Sequence, residues 1–151
     1  MNNGLKCGAI VVREVKLIFE DYIISRRMLK ALQNKVEESE IALSMARPMT
    51  DEKVQGGKNS RRDTKIAAIL DKQNRIKIKI KRISSDLKPF IVTMNKISQD
   101  DKRLLTSHYI KGKSVNEIAK ELDLSKTTTR SRLNKAEIKF FKIYKHYSEA
   151  H

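Results

Sequence analysis

The 151-residue chain lacks tryptophan and has only one cysteine, two prolines and five glycines. A single cysteine, Cys7, cannot form an internal disulfide, so neither a disulfide framework nor an oxidising compartment is required, and a reducing cytosol is expected. An average chain of this length would carry about 18 glycines and prolines together. A sandwich or barrel turning every 8 to 12 residues or so would use most of them, so their scarcity points to an all-α protein. Aromatic residues are 5% of the chain, four Phe and four Tyr, enough for a thin core spread along helices. No apolar run approaches a signal peptide or membrane span; the patch Ala9 to Val12 is followed by charges every few residues, and no membrane association is expected. The three histidines, His108, His146 and His151, have no metal-ligand spacing with Cys7. No nucleophile elbow or paired-carboxylate pattern occurs either, so neither catalysis nor a cofactor is expected.

What the sequence has in abundance is positive charge: 33 Lys and Arg against 18 Asp and Glu, net +15. Such an excess points to a polyanionic partner. It is unevenly spread. Residues 1–60 carry a net +2, residues 61–97 a net +8 and residues 98–151 a net +5.

Two long heptad seams, with steps alternating between three and four, organise the first two thirds. One runs Val15, Ile18, Tyr22, Ser25, Leu29, Leu32, Val36, Ser39, Leu43 and Ala46, and Arg47-Pro48 ends it. The other follows Ser60 and Asp63, a variant capping box, and runs Ile66, Ile69, Gln73, Ile76, Ile80, Ile83, Leu87, Phe90, Met94 and Ile97. Within it Arg75 to Lys81 alternates basic and apolar residues as a half-buried strand would, but only for about seven residues, and the longer heptad frame decides for helix. Pro89 should kink or split this helix. Residues 47–60, with Pro48, Gly56 and Gly57, read as a loop, and Gly-Gly-Lys-Asn-Ser within it as a flexible linker rather than a phosphate-binding loop. The expected layout is a coiled-coil helical hairpin over 15–97, preceded by an unassigned segment, 1–14. Its seam is a packing surface open to a homodimer or to closure within the hairpin.

From Ser98 the text changes to three short capped helices. Ser98 caps the first, which carries Leu104, Leu105, Tyr109 and Ile110 and stops at Gly112. Ser114-Val115-Asn116-Glu117 is a capping box opening the second, with Val115, Ile118, Ala119 and Leu122 as its buried face. Asp123-Leu124 forms a tight turn and Ser125 caps the third. At about 100° per residue, Thr129, Leu133, Ala136 and Phe140 face the core while Thr127, Arg130, Ser131 and Asn134 face outward. That outer edge offers a guanidinium for guanine, an amide for adenine and two hydroxyls, the chemistry of base readout in a major groove. Lys113, Ser114, Ser125, Lys126, Thr128, Arg132 and Lys135 flank it as candidates for phosphate contact. The organisation expected is therefore a hairpin followed by a C-terminal helix-turn-helix domain over 98–147 and a tail, 148–151.

The text Gly112 to Ser125 followed by Thr128 to Ala136 resembles the helix-turn-helix of sigma factor region four, with Glu117-Ile118-Ala119, Ser125, Ser131-Arg132-Leu133 and Ala136 in the matching positions. With the upstream hairpin and Val54-Gln55-Gly56, the chain from Val15 resembles phage late-gene regulators of the ArpU and RinA type. The resemblance implies a phage or prophage transcriptional regulator in the bacterial cytoplasm that binds double-stranded promoter DNA upstream of packaging or lysis genes and helps recruit host RNA polymerase. Thr129 departs from the pattern, standing where a branched apolar residue is usual, so its hydroxyl needs a partner such as a carbonyl one turn back. Pro89 departs too, inside a helix the family runs unbroken. Two other classes fit the same text: a phage small terminase subunit, which would form a ring, and a basic coiled-coil scaffold that binds nucleic acid without sequence preference.

Overall fold

The computed structural model describes residues 3–46 and 57–149, with side chains described over 8–46 and 61–149. Among them all regular structure is helical, as the scarcity of turn residues implied. In chain order the helices are α1 (Asn3–Ala46), α2 (Gly57–Lys96), α3 (Gln99–Leu105), α4 (Val115–Leu122) and α5 (Lys126–Glu149), with a π-helical turn over Thr106–Ile110 between α3 and α4. Contacts divide the chain into one unit of residues 1–25 with 87–151, and a second of residues 26–86.

Both seams are visible in the burial. Every position of the first, from Val15 to Ala46, and every position of the second, from Ile66 to Ile97, is buried or half-buried, whereas Ile78, off the seam, is 64% exposed. An alternating strand would have covered Ile78 together with Ile76 and Ile80, so the helical period is the one the chain obeys. In the second unit Leu43, Gln73 and Ile76 are the most deeply covered seam residues.

Four sequence expectations change here. The segment 1–14 is helical from Asn3, because nothing in it interrupts the run into Val15. Helix α2 begins at Gly57, so Gly57 to Ser60 are its first turn and not linker; the rest of the expected loop, 47–56 with Val54-Gln55-Gly56, lies outside the described residues. Helix α2 also passes through Pro89 unsplit. The proline deprives the Ser85 carbonyl of its usual donor, and one turn later the buried Thr93 donates its hydroxyl to the Pro89 carbonyl at 2.6 Å. Finally, α5 continues to Glu149, through the first two residues of the expected tail; 150 and 151 lie outside the described residues.

The hydrophobic core of the first unit explains why the contacts divide at 25 and 87 instead of at 97. Val15 and Phe19 of α1 and Phe90 and Met94 of α2 form one cluster with Leu104, Leu105, Ile118, Leu133, Ala136 and Phe140. Phe19 lies at its centre, with ring centroids 5.0 Å from Phe90, 5.0 Å from Tyr109 and 5.1 Å from Phe140. Three short helices around a thin aliphatic face bury too little alone, and the two long helices supply the aromatic half of the core.

Candidate nucleic-acid interface

Helix α4, the turn after it and the first half of α5 make the helix-turn-helix, and each boundary is set by local chemistry. Ser98 caps α3 by accepting from the Asp101 amide at 3.2 Å, and Ser114 caps α4 by accepting from the Glu117 amide at 3.2 Å. Between them the turn over Thr106–Ile110 widens, with the Lys111 amide reaching the Thr106 carbonyl at 2.9 Å, five residues back. This widened turn replaces the regular helix expected up to Gly112, whose φ of +70° is where the chain needs a glycine to leave. It leaves His108, Tyr109 and Ile110 half-buried; the His108 Nδ1 lies 2.9 Å from the Lys113 carbonyl.

The end of α4 is a Schellman closure. The Leu124 amide reaches the Ala119 carbonyl at 2.9 Å and the Asp123 amide the Lys120 carbonyl at 3.3 Å, with Asp123 left-handed at φ 55°. Aspartate is among the few non-glycine residues that tolerate this conformation. Ile118 and Ala119 are buried as expected, but Leu122, the last residue of α4, is 46% exposed.

Ser125 then caps α5, accepting from the Thr128 amide at 3.1 Å while its hydroxyl donates to Thr128 Oγ1 at 2.8 Å. Thr129, Leu133, Ala136 and Phe140 are all within 3% of complete burial, so the wheel assigned the core sector correctly. Thr129 donates its hydroxyl to the Ser125 carbonyl at 2.9 Å, the partner one turn back that a buried hydroxyl required.

Opposite this sector Thr127, Arg130, Ser131 and Asn134 are exposed and, among the described residues, form no hydrogen bond or ion pair with the rest of the protein. Their spacing of three, four and seven places them in one line of about 10 Å along the helix, the rise of some three base pairs of duplex. The flanking set is less uniform. Lys126 is exposed and free, whereas Lys113 is ion-paired with Glu121. The Ser114, Ser125 and Thr128 hydroxyls serve the caps described above. Arg132 and Lys135 line an open cleft of about 430 Å³ between α3, α4 and α5, whose walls also carry Asp100, Asp101 and Glu121.

One residue of the site was not singled out from the sequence. Glu137 is 2% exposed and lies on the core side of α5. It stands four residues after Leu133 and three before Phe140, a helical spacing that assigns it to the buried stripe. Burial pushes its carboxyl above the ordinary value, an effect opposed by Tyr109, His108 and Arg130. Burial likewise raises the Tyr109 phenol, helped by Glu137. The Tyr109 hydroxyl and Glu137 Oε2 are both buried, and among the described residues neither meets a partner in good hydrogen-bond geometry.

With this geometry in hand, comparison with protein families finds that residues 88–140 match the model described as Sigma-70, region 4. The match takes in about a third of the chain, from the last turns of α2 to the middle of α5. It supports a sigma-factor-like helix-turn-helix and, with it, a DNA-binding regulator. Comparisons with curated proteins and with solved structures returned no match. Among the described residues no helix is long and apolar enough to cross a membrane, and no group of three His, Cys, Asp or Glu side chains could hold a metal ion.

Proposed function

We propose that this protein is a sequence-specific transcriptional regulator of phage or prophage origin, of the ArpU and RinA type, that reads promoter DNA through the outer edge of α5. Its work is binding and not catalysis. The observation that carries the reading is the contrast across one helix: Thr129, Leu133, Ala136 and Phe140 are buried, while Thr127, Arg130, Ser131 and Asn134 form an exposed polar line on the other side. A merely structural helix has no need of a guanidinium, an amide and two hydroxyls held in register at its N-terminal half, where recognition helices meet base edges. The region-four match supports the same role for the same helix. Activation of late, packaging or lysis genes and recruitment of host RNA polymerase complete the proposal and rest on the resemblance.

The test is a binding selection on random duplex DNA near physiological salt, with molecular mass measured by light scattering in the same buffer. An enriched motif with a monomer or dimer mass is the expected result. Absence of a motif with a ring-sized mass would replace the regulator with a packaging adaptor, and absence of a motif with a small mass would leave a basic scaffold.

A further inference from the structure

The most basic stretch of the chain folds as helix α2, and the helix sorts its cations by side. Alternate residues of an α-helix point about 200° apart, so Lys77, Lys79 and Lys81 do not share a face. In the heptad frame set by the buried seam, Lys65, Lys72 and Lys79 recur every seven residues in one column. Arg61, Arg75 and Arg82 stand in the adjoining column, three or four residues away from them. All six are exposed and all belong to the same compact unit, residues 26–86. Because both columns keep the period of the seam, the stripe runs alongside it and does not wind around the helix. From Arg61 to Arg82 it extends about 31 Å at 1.5 Å per residue, close to one turn of duplex DNA at about 34 Å.

The stripe is electrostatically unsatisfied. Among the described residues its one ion pair joins Arg75 to Asp71 at 3.0 Å, with both partners well exposed. Arg61 with Lys65, Lys72 with Arg75, Arg75 with Lys79 and Lys79 with Arg82 are like-charged neighbours at three or four residues, an arrangement that destabilises a helix. The other flank of α2 in this unit mixes Asp63, Ala67, Leu70 and Asn74 with Lys77 and Lys81. Concentrating repulsion on one flank is offset when a regular polyanion lies along it. A membrane surface would need a continuous exposed apolar face beside the cations, whereas Gln73 and Ile76 of the α2 seam are buried and the exposed large apolar residues of α2 in this unit, Leu70 and Ile78, stand eight residues apart.

We infer that Arg61, Lys65, Lys72, Arg75, Lys79 and Arg82 form a second, sequence-independent contact surface for duplex DNA that takes the phosphates of one backbone. The inference rests on the DNA-binding reading above only for the identity of the polyanion. It separates the chain's DNA affinity into a base-reading part on α5 and a phosphate-binding part on α2.

The test compares the full chain with two exposed-site variants. One removes four stripe cations (Lys65→Gln, Lys72→Gln, Lys79→Gln, Arg82→Gln); the other removes three cations off it (Lys77→Gln, Lys81→Gln, Lys88→Gln). Affinity is measured between about 50 and 200 mM salt for a duplex carrying the selected motif and for a scrambled duplex of equal length. The stripe variant should bind both duplexes more weakly, keep their affinity ratio, and show a log–log salt slope shallower by about 2 to 4. The off-stripe variant should keep the parent slope to within about one. An unchanged slope in the stripe variant, or an equal loss in the off-stripe one, overturns the inference while leaving α5's preference for the motif intact. If the parent chain binds neither duplex, the reading of α5 falls first and the stripe with it. Loss of binding to phosphatidylserine vesicles with DNA binding unchanged would assign the stripe to a membrane and overturn the inference. Circular dichroism checks folding, and Lys72→Gln with Lys79→Gln, expected to lower the slope by about 1 to 2, serves if the fourfold variant fails to fold.

Discussion

Thr129 offers the sharpest check on how the reading helix is held. Its hydroxyl is fully buried and donates to the Ser125 carbonyl at 2.9 Å, but that carbonyl also accepts the Thr129 amide at 3.0 Å. Replacing the hydroxyl by a methyl in Thr129→Val therefore removes one donor and leaves no acceptor without a partner. The lost hydrogen bond is worth about 0.5 to 1.5 kcal/mol net, and burying the added methyl returns about 0.8 kcal/mol. The two nearly cancel, and Thr129→Val should change stability by no more than about 1 kcal/mol. Thr129→Ser keeps the bond and loses the methyl, leaving a gap against Leu133 and its neighbours, and should cost about 1 kcal/mol or more. The expected order is threonine equal to valine, with serine below both. All four tyrosines, Tyr22, Tyr109, Tyr144 and Tyr147, belong to the unit that contains Thr129, so near-ultraviolet dichroism of tyrosine during urea unfolding reports on that unit alone. DNA affinity should not move, since residue 129 faces away from the outer edge. The reverse order, serine equal to threonine and valine lower by about 2 kcal/mol, would refute the reasoning by showing that the hydroxyl, not the branched carbon, is what the core requires.

Arg130→Ala should cost about 1 to 3 kcal/mol at the preferred site and relax base preference there; equal loss on random duplex would remove Arg130 from readout. Lys135→Ala should weaken all sequences alike and lower the salt slope by about one, so a change in base preference would move Lys135 from the cleft side of α5 onto its reading edge. Phe19→Ala should destabilise the helix-turn-helix unit by about 3 to 5 kcal/mol, read by the same tyrosine signal; a loss below about 1 kcal/mol would separate α1 from this core. Glu137 binds its proton more tightly folded than unfolded, so its contribution is complete below the ordinary carboxyl value of 4.5 and is lost as pH rises through the raised folded value. Glu137→Gln should accordingly abolish that decline and be the more stable protein at neutral pH, by about 1.4 kcal/mol for each unit of displacement. Urea titrations on both sides of the window decide it, and a variant less stable at neutral pH would mean that the carboxylate is favourably paired.

What could be read from the sequence was whatever a few neighbouring residues decide among themselves. Ser98, Ser114 and Ser125 announce their helices because a cap is a bond to an amide three residues on. The four core residues of α5 follow from a fixed angle per residue, and the demand for a partner to the Thr129 hydroxyl follows from burial alone. Even Glu137 stood in the text at a core spacing, although its charge directed it to the surface. The exposed Leu122 and the widened turn at Thr106–Ile110 escaped because each depends on how α3 and α4 settle against α5, which no local pattern records. Gly57 to Ser60 escaped for the opposite reason, since turn-forming residues at a helix start can be drawn into it by the long seam that follows.

The division of the chain is the instructive case, because the heptad seams were legible and their destinations were not. A seam states that a stripe must be covered without stating by what. From Arg26 to Asp86 the two long helices belong to one unit, while the same stripes at Val15, Phe19, Phe90 and Met94 are covered by the three short helices. The change of partner coincides with a change of residue: all four phenylalanines and all four tyrosines lie within 1–25 and 87–151. The seam within residues 26–86 carries no ring, whereas the space among the five helices of the first unit is filled by rings. The aromatic positions, more than the heptad steps, mark where the long helices pass from one unit to the other, and the family match beginning at residue 88, inside α2, falls at the same place.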